Sequence, residues 1–278
     1  MRAPIASPPE VSGTDLTRPV QRSHWWREVL IIASFYALYT LVRDVRGDTP
    51  VSVFQATTNA HRIIRLERWF GLFHEANIQH WFLQYRELIR LADDYYGTIH
   101  FAAVVGVLLL LFFRYPYRYR LWRNTLAIAS CLALVGFSFF PLLPPRLLPP
   151  GYHFVDTLQV FGGLWNFSSG AVSEVSNQYA AMPSLHTTWS AWCAVALIPL
   201  IRPWWGKVLV TLYPVLTILC IVITANHYFA DVIAGLLLLV VSYFLARLMT
   251  TAIDRWHERK SRSVTAKPDE HLASSGAT

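Results

Sequence analysis

The chain has 278 residues, of which 54% are apolar, 15% are charged and 14% are aromatic, with 11 Trp. That balance excludes an ordinary water-soluble domain and places the chain in a membrane. The net charge of +7 is carried by basic residues clustered between apolar runs and in the tails, a pattern of topology and lipid head-group contact rather than of nucleic-acid binding.

Residues 1–25 are polar and rich in Pro, Ser and Arg, and read as a disordered tail. No small-residue cleavage site follows, so the first apolar run reads as a retained anchor. Hydropathy then marks about six spans, each near the ~20 residues that a bilayer needs. Their approximate limits are 26–43, 95–114, 122–142, 186–202, 207–225 and 228–250. Residues 26–250 form the membrane domain, and 251–278 form a basic, disordered tail. Between the first two spans, residues 55–92 mix apolar and charged side chains at helical spacing, as amphipathic helices lying at the outer interface would. The connection 143–185, with Gly162-Gly163 and Ser168-Ser169-Gly170, is long enough to act as an active-site loop or lid. Cys131, Cys193 and Cys220 lie within apolar runs and have no metal spacing, so they read as small hydrophobes. The expected fold is an all-α integral membrane bundle of about six helices with interfacial helices on the extracytoplasmic side.

Charge sets the orientation. Arg18, Arg22 and Arg27 precede the first span, and Arg114, Arg118, Arg120 and Arg123 fill the tight connection after the second. Arg202 and Lys207 follow the fourth span, and Arg247, Arg255, Arg259 and Lys260 close the sixth. With six crossings these share one side, which the positive-inside rule makes cytoplasmic. Segment 44–94 carries seven basic residues if Arg43 is included, but acids such as Asp44, Asp48, Glu67, Glu75 and Glu87 offset them. Both termini are therefore expected in the cytoplasm of a multi-pass cell-membrane protein. Asp93-Asp94 lacks a helical repeat of carboxylates and reads as a polar span boundary.

Two short segments carry the chemistry. Met182-Pro183-Ser184-Leu185-His186 opens the fourth span, and His227-Tyr228-Phe229-Ala230-Asp231 lies where the fifth passes into the sixth. Asp231 is the only acid between Glu174 and Asp254, and a titratable group at such a position is costly and functional by default. His227 and Asp231, four apart, share one helical face, so the carboxylate can orient the imidazole. An even number of crossings separates His186 from His227, so the two histidines can meet. Pro144-Pro145-Arg146-Leu147-Leu148-Pro149-Pro150 holds Arg146 in a stiff segment suited to gripping phosphate. Pro183 and Ser184 suit the first turn and cap of a helix, whose N-terminus favours anions. Tyr96 and His100, four apart at the start of the second span, are further candidates for the pocket. Together these groups point to phosphoryl transfer.

MPSLH followed after about 40 residues by HxxxD resembles the type 2 phosphatidic acid phosphatase (lipid phosphate phosphatase) superfamily. More narrowly, AAMPSLH with NHYFADVIAG is similar to its inositol phosphorylceramide synthase branch. The resemblance covers roughly residues 90–250 and implies a metal-free, cofactor-free, two-step mechanism. In it His227 forms a phosphohistidine, Asp231 holds its ring, and His186 protonates the leaving alkoxide and then activates water or an alcohol. Arg146, Ser184 and nearby N–H groups would hold the phosphate oxygens. The broad pattern KxxxxxxRP, PSGH and SRxxxxxHxxxD is not fully met: Phe139, Leu147, Leu185 and Cys220-Ile221 stand where it has Lys, Pro, Gly and Ser-Arg. Arg43 and Arg46 are candidates to replace the missing charge. The implied partners are a lipid phosphate and membrane lipids. Transferase and hydrolase share every catalytic residue, so both stay open, with a membrane haem protein using His100, His186 and His227, or a scaffold with a dead site, as non-enzymatic alternatives.

Overall fold

The computed structural model describes residues 53–162, 179 and 181–265, together with Trp26, Glu28, Leu30, Ala33, Ser34 and Ala37, which are helical. Most of the first expected span, Arg43 and Arg46, and much of the 143–185 connection lie outside the described residues. What is described is helical throughout, apart from turns and short connections.

Helix α1 (Val53–Trp69) and helix α2 (Glu75–Leu83) are joined by a turn at Gly71, whose φ of 68° is open to glycine at no steric cost. Helix α3 (Arg86–Asp94) runs through a π-helical stretch (Tyr95–Ile99) into α4 (His100–Arg114). The membrane-length helix therefore begins at Arg86 rather than near residue 95, and part of the segment expected at the interface belongs to it. Helix α5 (Pro116–Phe139) returns after the single residue Tyr115, with Pro116 at its first turn, where a missing N–H costs nothing. A short α6 (Thr157–Phe161) follows the proline-rich connection. Helix α7 (Leu185–Leu197), α8 (Trp204–Ile223) and α9 (Phe229–Thr265) complete the chain.

Among the described residues four helices are long and apolar enough to cross a membrane: Arg86–Arg114, Pro116–Phe139, Trp204–Ile223 and Phe229–Lys260. The count falls short of six for two reasons. The first expected span lies largely outside the described residues. The fourth, 186–202, is a helix of 13 residues extended by a 3-residue 3₁₀ turn at Pro199, a rise of only about 24 Å. Helix α7 is mostly enclosed by its neighbours, with Val195 left exposed. It packs against α4, α5, α8 and α9, and buries Thr187, Thr188, Ser190, Ala191, Trp192, Cys193, Ala194 and Ala196. Its Thr188 and Ser190 hydroxyls donate to the Ser184 and Thr187 carbonyls, and the Thr187 hydroxyl donates to Ser184 Oγ. Helix α9 in turn continues to Thr265, past the end expected at residue 250.

The arginines between α4 and α5 do more than set topology. Arg123 lies 2.6 Å from Glu28, whose other oxygen accepts from the Tyr119 hydroxyl at 2.9 Å. Arg120 binds Asp254 at 2.6 Å and the Thr250 carbonyl, tying α5 to the distal part of α9. Nearby, Trp192 donates its indole N–H to the Trp122 carbonyl at 2.9 Å within a core that includes Val104, Val107, Leu111 and Leu239. The Arg123 and Glu28 side chains are only 20% and 8% exposed, so removing one partner strands the other charge away from water. Glu28→Ala is expected to cost about 3 kcal/mol, read as a lower midpoint of thermal unfolding in detergent, while Asp254→Ala, in a pair some 40% exposed, costs about 1 kcal/mol or less.

Candidate active site

The site is assembled at the end of the bundle where α5 finishes, α7 begins and α8 turns into α9. The turn after α8 folds tightly: Ala225 takes φ 53°, a conformation disfavoured for a residue with a Cβ. Its carbonyl accepts the Arg146 N–H at 2.9 Å, so the strained residue joins the proline-rich connection to the histidine turn. Asn226 then binds Thr224 through its amide and receives Arg146 Nε at 3.1 Å on its oxygen.

His227 and Asp231 are buried, at 4% and 0% exposure. Nδ1 of His227 lies 3.3 Å from Asp231 Oδ2, and the same oxygen accepts the Tyr228 N–H at 3.0 Å. With the proton on Nδ1 shared toward the carboxylate, Nε2 keeps its lone pair, which is the tautomer a nucleophile needs. The ring of His186 sits with its centroid 5.8 Å from that of His227. It stacks on Tyr96 at 4.1 Å and meets the His100 ring at a tilt, 4.6 Å between centroids, and its Nε2 has no partner among the described residues. The π-helical turn that bears Tyr96 shifts the face of α4 at this point. His100 is braced by the Tyr213 hydroxyl at 3.3 Å and the Trp189 ring at 5.6 Å. Because His100 and His186 pack ring against ring, no macrocycle fits between them, and the expected haem alternative loses that axial pair.

Arg146 reaches the constellation from the connection after α5. One terminal nitrogen binds Asp156 at 3.0 Å, with the two side chains 12% and 18% exposed. Asp156 also caps α6 through the Gln159 N–H. Ser184 is fully buried, and its hydroxyl oxygen accepts the Thr187 N–H at 3.3 Å as the cap of α7. The oxygen expected at the phosphate is thus engaged in helix capping, although its own O–H remains a donor. Ser184 also donates its N–H to the Asp231 carbonyl at 3.2 Å, binding the two motifs directly.

Several residues here carried no signal of function in the sequence. Asp93 is not a polar boundary: it is fully buried and accepts the Thr157 hydroxyl at 3.0 Å. Gln79 exchanges two hydrogen bonds with Val155, at 2.8 and 2.9 Å, and Arg90 Nε donates to the Phe161 carbonyl. The described part of the expected lid, residues 151–162, is therefore pinned by α2 and α3. Glu67 and Glu75 are buried beside the first turn of α9. Among the described residues no group of three His, Cys, Asp or Glu is placed to hold a metal ion.

Compared with known proteins, the sequence matches the PAP2 superfamily over residues 61–245, more than half of the chain. No curated protein and no solved structure matches it.

Gly235, one turn beyond Asp231, is where the two motifs touch. A Cβ there would fall 2.6 Å from the Ser184 carbonyl oxygen and 3.1 Å from Thr188 Oγ1, both part of the start of α7. Gly235→Ala must therefore spread α7 from α9 and His186 from His227. The expected outcome is an overpacking cost of about 1–3 kcal/mol with a loss of turnover larger than the loss of folded protein, measured by pairing thermal unfolding with single-turnover rates.

Proposed function

This chain belongs to the PAP2 superfamily, a membership that suggests a phosphatase or phosphotransferase of lipid phosphates, and from that premise we propose that it cleaves a membrane phosphodiester through a phosphohistidine and passes the head group to a lipid alcohol. The observation that carries the reading is the His227–Asp231 pair with the unpartnered Nε2 of His186 beside it. His227 Nε2 attacks phosphorus, a P–N bond forms, and the P–O bond to the leaving alkoxide breaks. His186 supplies the proton that neutralises that alkoxide and then takes one from the incoming hydroxyl, whose oxygen attacks phosphorus and releases His227. Asp231 holds the ring and stabilises its positive charge while the P–N bond exists. Arg146, with one terminal nitrogen not engaged by a described partner, grips an equatorial oxygen.

Electrostatics favour a diester. The Arg146 charge is already offset by Asp156, and Asp231 adds another carboxylate to the site. A phosphodiester brings one negative charge to this surrounding, whereas a phosphomonoester or diphosphate brings two or more. Phosphatidylinositol as donor and a ceramide-like alcohol as acceptor, the reaction of the inositol phosphorylceramide synthase branch, are the first pair to test. The positive-inside pattern puts both termini in the cytoplasm and the site on the opposite face. There the exposed Trp69, Phe70 and Trp81 of the α1–α2 hairpin would rest at the lipid interface.

The test is labelled phosphatidylinositol with and without ceramide, using detergent-purified protein and a His227→Ala control. An acceptor-dependent phospholipid absent from the control is expected; acceptor-independent release of the label instead makes the chain a hydrolase. Asp231→Asn should bind the same donor but lose on the order of 10⁴ in kcat, since an amide favours the wrong tautomer of its partner histidine.

A further inference from the structure

The first turn of α9 has an unusual set of acceptors. Its leading N–H groups, those of Tyr228, Phe229 and Ala230, are each taken by a different carboxyl: Asp231 at 3.0 Å, Glu75 at 2.9 Å and Glu67 at 2.7 Å. Only the first comes from the helix itself. The other two arrive from the α1–α2 hairpin, more than 150 residues earlier in the chain. A helix N-terminus is ordinarily capped by a single adjacent Ser, Thr, Asp or Asn. Glu67 and Glu75 are 1% and 0% exposed, and glutamate is almost never buried to that degree without a partner.

Each glutamate uses Oε1 for its N–H group and leaves Oε2 with no donor from any other described residue. The two carboxyls face one another. Two ionised carboxylates are acceptors only, so facing each other away from water they would repel with no compensating hydrogen bond. One shared proton converts that repulsion into an O–H···O⁻ bond. It also lowers the negative charge that the partial positive end of the helix must balance, about half an elementary charge.

We propose that Glu67 and Glu75 are positioning residues of this site, a proton-sharing carboxyl pair that grips the first turn of α9 and thereby holds His227 in register with Asp231. The proposal rests on the reading of His227 as nucleophile. The N–H groups of Phe229 and Ala230 lie directly between His227 and Asp231 in the chain, so any loosening of that turn changes the distance across the His227–Asp231 contact. The hairpin bearing the pair is itself packed on the site: Ala56, Ala60, Ile63 and Ile64 of α1 share a core with Leu142, Leu143 and Tyr228. Asn59 reinforces it by donating to the Pro141 carbonyl.

The pair also imposes a pH dependence. Burial, then the charge and hydrogen bond of Glu75, push the Glu67 carboxyl up to about 9, with Asp231 adding to the rise and the Ala230 N–H opposing it. Tyr228 also faces this group, together with Asp231, Glu75 and Tyr152. Glu67 thus carries its proton in the folded chain at neutral pH, whereas an unfolded glutamate has lost it above its ordinary 4.5. The contribution to stability is complete below that lower value and drains away as pH rises through the upper one. Above it, two charges face each other beside Asp231 and the hairpin's hold on α9 weakens.

The experiment compares wild type, Glu67→Gln and Glu67→Ala in detergent. The Gln side chain still accepts from Ala230 and donates to Glu75, but it cannot titrate. Glu67→Gln should keep kcat at neutral pH and lose the alkaline decline near pH 9 that wild type shows. Glu67→Ala should lose about 100-fold in kcat with little change in KM, the cost of a nucleophile displaced by about 1 Å. A folded Glu67→Ala with wild-type kcat, or a Glu67→Gln with the wild-type alkaline limb, overturns the proposal, and the Gln profile decides the matter alone if the Ala variant does not fold. Nitrogen-15 histidine spectra supply a readout independent of turnover: the Nδ1–H signal of His227 should persist in Glu67→Gln and vanish in Glu67→Ala. If wild type transfers no phosphoryl group, the functional reading fails while these spectra still judge the positioning role; an unchanged signal in Glu67→Ala would then overturn it.

Discussion

The site depends on the close approach of α7 and α9 at Gly235. Backbone meets backbone there: the Ser184 carbonyl lies against the glycine, Ser184 N–H reaches the Asp231 carbonyl, and Thr188 Oγ1 binds the Gly235 carbonyl at 2.9 Å. A helix normally keeps its neighbour 8–10 Å away by its side chains, and only a missing Cβ with hydroxyl donors on the facing helix permits less. His186 begins one helix and His227 precedes the other, so this contact brings two histidines 41 residues apart in sequence to a 5.8 Å ring separation. The small and hydroxylated face of α7 follows from the same constraint. A helix surrounded by four others must trade bulk for approach, and its Ser and Thr side chains satisfy themselves on the backbone.

A second constraint is the management of negative charge in a site that must receive a phosphate. Asp231, Asp156, Asp93, Glu67 and Glu75 all lie at this end of the bundle, where Arg146 pairs with Asp156. Each carboxyl is committed to a structural donor. Asp156 takes Arg146 and a helix end, Asp93 takes Thr157, and the glutamates and Asp231 take the three leading N–H groups of α9. Bound in this way they brace the histidine turn, the proline-rich connection and the hairpin against each other. Among the described residues the same network offsets the Arg146 charge with Asp156.

The two motifs were readable because their geometry is local. HxxxD keeps an imidazole and a carboxylate within one turn of chain, although His227 stands before α9 rather than on its face, and Pro-Ser before an apolar run specifies a helix start. Arg146 stood out by its prolines, and Tyr96 and His100 by their i,i+4 spacing, although the helix that bears them begins at Arg86 rather than beside them. The glutamates were not: within an amphipathic segment they are indistinguishable from a solvated charged face, since their partners are backbone N–H groups 154 and 163 residues away. Asp93 and Gly235 were silent for the same reason, and Arg123 read as a topological charge because nothing local announces Glu28.

By itself, then, the sequence determined the all-helical membrane class and singled out the two motifs whose histidines and aspartate the fold brings together. Hydropathy, charge asymmetry and i,i+4 spacing act over one helix at a time and need no knowledge of neighbours. Tertiary structure alone decided that α7 is a short helix packed among four others, that Asp93 is buried against Thr157, and that the α1–α2 hairpin delivers two carboxyls to the first turn of α9. Those outcomes depend on which surfaces meet across the bundle. Burial without a donor is what turns an ordinary glutamate into a group that must share a proton, and burial exists only once the helices have packed.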